Sequence, residues 1–65
     1  MKNLKLEYIL ITFIMDNELI IRKLEKDLES EIDEWHIENM ENEISIRNSM
    51  INDAKFILKS MEENK

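Results

Sequence analysis

The chain is 65 residues long, carries a formal net charge of −6 and contains no Gly, Pro or Cys. That length allows one domain, residues 1–65, with a small core. The missing Cys excludes disulfides and thiolate metal sites and suits a reducing cytoplasm, where the protein is expected, and the acidity argues against direct binding to nucleic-acid phosphates.

With no Gly and no Pro the usual punctuation of turns and hairpins is gone, while Glu, Lys, Leu, Ile and Met abound. The composition therefore predicts an all-α fold with very short connections. Ordering such a chain costs on the order of 100 kcal/mol, so a scaffold this small needs a staple. Without Cys, oligomerisation or docking on a larger protein is the remaining remedy. The richness in Ile, Asn, Lys and Glu fits an AT-rich coding sequence, as in a low-GC bacterium, its phages and plasmids, or several parasites.

At the N-terminal end, residues 8–15 read YILITFIM, far short of the roughly 20 apolar residues that a spanning helix needs, so no membrane span is expected. Lys2 and Lys5 precede the run as they would in a signal peptide. However, Glu7 interrupts it, and Asp16, Asn17 and Glu18 stand where a small-residue cleavage site would be. Two conformations fit residues 4–14. Tyr8, Ile9, Ile11, Thr12, Phe13 and Ile14 are strand formers, and Asp16 or Asn17 could cap a following helix. The helical alternative keeps three-four spacing through Leu6, Leu10, Phe13 or Ile14, Asn17 and Ile20 or Ile21, with Asn3 as a cap. It is preferred, because a lone strand would need a partner strand from another chain.

Leu10, Ile14, Ile21, Leu24, Leu28, Ile32 and Trp35 form a first helical stripe, with Asn17 in the interrupting position. Ile37, Met40, Ile44, Ile51, Ala54, Leu58 and Met61 form a second, with Arg47 filling the one gap. The step of two from Trp35 to Ile37 breaks the register, so one straight helix would turn its apolar seam abruptly there. A reversal near His36 resolves the mismatch. It predicts an antiparallel helical hairpin with helices near 4–34 and 37–62, either dimerising into a four-helix bundle or docking on a partner. In that register Met40 pairs with Ile32, Ile44 with Leu28, Ile51 with Ile21 and Leu58 with Ile14. Arg47 either meets Glu25, with its stem over Leu24, or points to solvent. The turn is the weak point, since residues 34–37 hold neither Gly nor Asn, and an unbroken helix that dimerises is the competing arrangement.

Between the stripes, residues 25–43 read EKDLESEIDEWHIENMENE and carry −8, which leaves +2 for all the rest. On a helix continuing through the turn, Asp27, Glu31, Glu34, Glu38 and Glu41 fall along one edge, where like charges repel unless a basic group offsets them. Such a row is either a solvated face or, with Trp35, a docking surface for a protein rich in Lys or Arg. The docking partner could be one that normally holds nucleic-acid phosphates, which evenly spaced carboxylates imitate. Trp35 can be read as an interface anchor, although a ring capping the end of the hairpin core is the simpler expectation. His36 with Asp33 would make an acid and His pair of the kind found in helical-bundle metal sites, but those sites also use Glu from facing helices. No metal or cofactor is therefore expected.

Catalysis has little to stand on. The one His, the absent Cys and Gly-rich loop, and Ser30, Ser45, Ser49 and Ser60 without a neighbouring base argue against an enzyme. Met40, Met50 and Met61 read as core fillers. Leu6, Tyr8, Ile9, Ile11, Phe13, Met50 and Ile57 are left as apolar surface needing a second cover, the expected oligomer or docking face. The functional expectation is a small acidic interaction protein of a phage or mobile element that binds and inhibits or modulates a larger basic-surfaced protein. The alternative is a self-assembling structural subunit with no inhibitory role.

Overall fold

A computed structural model describes residues 4–63. It consists of two α-helices, α1 (Leu4–Ser30, 27 residues) and α2 (Glu34–Glu63, 30 residues), which fold back on each other as an antiparallel hairpin. The segment 4–14 is helical, so the strand alternative is not realised. Asn3, its expected cap, and Lys2 lie outside the described residues. The hairpin is a rod of 50 × 14 × 12 Å.

Three-four spacing builds the seam. Ile14, Ile21, Ile51 and Ala54 are buried, and Leu10, Phe13, Ile44 and Leu58 pack against them. Leu24 and Leu28 on α1, and Ile37, Met40 and Met61 on α2, continue the stripes in half-buried positions. Among the described residues no side chain is wholly shielded from solvent, because two helices alone can cover each other on only one side.

The bend falls at residues 31–33, about one helical turn ahead of the expected reversal at His36. Neither Gly nor positive φ is involved; the chain's own carboxylates satisfy the exposed amides instead. Glu31 Oε1 accepts from the backbone N–H of Ile32 and of Asp33, both at 3.1 Å. Asp33 is the N-cap of α2: its Oδ1 accepts from Trp35 N–H at 2.9 Å, and its carbonyl accepts the first helical bond from Ile37 at 3.0 Å. At the end of α1, Glu31 N–H reaches the Leu28 carbonyl at 3.3 Å, and Ser30 Oγ donates to the Asp27 carbonyl at 3.3 Å.

The earlier bend corrects three sequence expectations. Ile32 falls in the loop and is 92% exposed, so it does not pair with Met40. Trp35 belongs to the first turn of α2 and is 68% exposed, so it does not cap the core. Arg47 meets neither Glu25 nor open solvent: its Nη1 donates to Asn17 Oδ1 at 2.7 Å. Ile21 and Ile51 still line one groove, as do Leu28 and Ile44.

Candidate functional site

Three surfaces carry chemistry or unused apolar area: a polar network in the seam, an acidic tip, and one apolar flank. The network begins at Asn17, the only buried polar residue among those described, at 5% exposure. Its Nδ2 donates to the Phe13 carbonyl at 2.8 Å, and its Oδ1 accepts from Arg47 Nη1. Arg47 turns its Nε and Nη2 to one oxygen of Glu43, at 3.2 and 2.9 Å. Every buried side-chain polar atom among the described residues is thereby satisfied. The two gaps in the apolar stripes are thus one feature, a neutral amide and a cation meeting across the seam. The sequence showed each gap, but not that they face each other.

At the tip the acidic row is rearranged. Glu31 is in the bend and spends its carboxylate on backbone amides, so it does not extend an edge. Asp27 stays on α1, while Glu34, Glu38 and Glu41 follow each other at four- and three-residue steps along one edge of α2, all exposed. Glu25 of α1 shares a groove with Glu41, beside Leu28 and Ile44, a neighbour for the row that spacing along one helix could not reveal. Glu43 pairs with Arg47 at 2.9 Å; Asp27, Glu34, Glu38 and Glu41 make no ion pair among the described residues. Trp35 stands edge-on to His36, with ring centroids 5.1 Å apart at 83°. Asp33, the proposed companion of His36, has its Oδ1 engaged as the helix cap, and no group of three potential ligands for a metal ion is assembled among the described residues.

The flanks of the hairpin differ. On one side Ile9, Leu10 and Phe13 of α1 face Met50, Ala54 and Ile57 of α2, with Asp53 as the one charged side chain of that groove. Met50 also borders a second groove with Ile46, Asn39, Asn42, Glu43 and Arg47. The opposite flank is lined by Glu18, Arg22, Glu25, Asn48, Asn52 and Lys55 over Ile21 and Ile51. Of the expected docking face, the structure gathers Ile9, Phe13, Met50 and Ile57. Leu6 follows at the helical step from Ile9, whereas Tyr8 and Ile11 sit with Leu4, Met15 and Leu19 on a separate exposed ridge of α1. Ile46, absent from the expected face, joins it because α2 contributes a longer edge than its seam spacing disclosed.

No described helix is long and apolar enough to cross a membrane. Comparison with protein-family models, with curated proteins and with solved structures gives no match.

Proposed function

We propose that the chain is a small acidic interaction protein whose tip, built from residues 25–43, binds a basic surface on a larger protein and so keeps that surface from its own ligand. Glu34, Glu38 and Glu41 keep a regular exposed row on α2, and a basic surface that accepts such a row can also hold phosphates, so inhibition by occlusion is the expected consequence. A phage or mobile-element origin fits the size, charge and AT-rich usage.

One observation carries this reading: two large apolar side chains, Ile32 and Trp35, stand exposed beside Asp27, Glu34 and Glu38, which make no ion pair among the described residues. A purely solvated acidic face has no use for an exposed Trp, whereas interface hot spots favour Trp set within a polar rim. The apolar flank favours a second reading, a structural subunit that assembles through aliphatic contacts alone.

Salt and tip substitutions separate the two. Trp35 is the chain's only Trp, so its fluorescence reports on the tip directly. A partner captured with the wild-type chain is titrated against it at about 50 and about 200 mM NaCl, where the Debye length shortens from roughly 14 to 7 Å. Affinity should fall at least about tenfold over that range, and Trp35→Ala, which lacks the fluorescent reporter and is titrated by calorimetry beside the wild type, should weaken binding by about thirtyfold or more, a hot-spot loss of 2 kcal/mol or greater. Equal affinity at both salt concentrations and no effect of Trp35→Ala would transfer the binding to the apolar flank and end this reading.

A further inference from the structure

The apolar flank extends beyond anything the acidic tip requires, and its occupant can be argued from area and charge. The chain exposes 5430 Å². A compact protein of 7.9 kDa exposes about 4,400 Å². The surplus of about 1,000 Å² is close to the roughly 800 Å² that each partner contributes to a standard stable interface. The radius of gyration agrees: 15.1 Å, where a compact domain of this length gives about 11 Å.

Ile9, Phe13 and Ile57 run into Met50, and Met50 into Ile46, so the flank crosses from one helix to the other as a continuous strip. At the tip end it is bordered by Asn39, Glu43 and Arg47 and on α2 by Asp53, the polar rim that interfaces carry around an apolar centre. The opposite flank, with its Glu, Arg, Asn and Lys lining, has no such strip. The ridge of Tyr8, Ile11 and Met15 belongs to α1 alone, so a partner seated there would touch one helix.

We propose that this flank is covered by a second copy of the chain, antiparallel to the first, so that two hairpins form a four-helix bundle with their acidic tips at opposite ends. Charge sets the orientation. A parallel pair would lay two segments of −8 side by side, whereas the antiparallel pair holds them at opposite ends of the bundle. The strip is centred near Phe13 and Met50, well away from the bend, so each tip overhangs the bundle and stays open. This dimer does not depend on what the tip binds.

The test uses the full chain. Light scattering after size exclusion should give twice the 7.9 kDa chain mass. Ile46→Glu and Met50→Glu alter side chains already exposed in the single hairpin, at 61% and 38%, and should return the mass to one chain. Ile11→Glu on the ridge should leave the dimer intact. In the dimeric protein a spin label at Ser30→Cys should lie on the order of 50 Å from its counterpart, from a rise of 1.5 Å per residue to the centre of the strip and out again. A single-chain mass at every concentration overturns the dimer. A dimer broken by Ile11→Glu but not by Ile46→Glu or Met50→Glu overturns the interface, and a label distance of about 20 Å or less overturns the orientation.

Discussion

Asp33 closes the bend by taking the Trp35 amide on its Oδ1. Asp33→Ala should therefore cost about 1 kcal/mol, the usual value of an N-cap. In a domain this size that lowers the thermal midpoint by about 4–8 °C, followed by circular dichroism, with Glu38→Ala as an exposed control. Asn17 and Arg47 make a sharper case. Arg47→Ala strips the buried Asn17 oxygen of its donor and should cost about 1–3 kcal/mol. Replacing both by Leu removes the polar groups together, so the double variant should melt at or above the wild-type temperature. What it should lose is register, since a single polar pair in an apolar seam penalises every slipped alignment. Broadened amide resonances along the seam, against sharp ones in the wild type, would report that loss. The sequence announced both residues as interruptions at stripe positions; their meeting depended on where the chain turned, which neither residue encodes alone.

At the scale of the helices, the periodicity was enough to find both stripes, and every seam position from Leu10 to Leu28 and from Ile37 to Met61 lies on the facing sides. The bend was missed by about a turn. Neither Gly nor Asn marks it; the chain reverses without positive φ and uses Glu31 and Asp33 to hold the amides. Ser30 to Asp33 reads as more acidic helix unless Asp33 is recognised as a cap, and Ile32 and Trp35 disguise it by keeping the apolar spacing. The misplaced bend explains the displaced partner of Arg47, the lost Ile32 pairing and the divided acidic row. The core that results is thin: Ile51 is one of four buried apolar residues among those described. Ile51→Ala should cost about 2–5 kcal/mol, comparable to what a small core supplies in total. The variant should therefore show reduced helical ellipticity even at 25 °C, and Ile32→Ala in the loop should not.

For the whole molecule, the roles proposed for the apolar flank and the acidic tip divide the rod into a part that assembles and a part that recognises. The proposed assembly through the flank would make stability depend on mass action, so the thermal midpoint should climb with protein concentration in the wild type and stay constant in Met50→Glu. The sequence already demanded such a staple, through length and the missing Cys. Which apolar residues supply it was legible only in part, because Tyr8 and Ile11 look the same as Ile9 and Phe13 until the second helix is set beside the first.

Connecting two long helices by three residues also grades the rod along its length. Leu28 and Ile44, near the bend, close a loop of about 16 residues, while Leu10 and Leu58 close one of about 48, an entropic difference of about 1 kcal/mol. Thermal breathing therefore unzips the hairpin from the end that holds the termini, and amide exchange there outpaces exchange beside the bend. The end that frays most readily is also the one that presents Ile9 and Ile57, so anything that clasps those side chains quiets the motion of the whole rod.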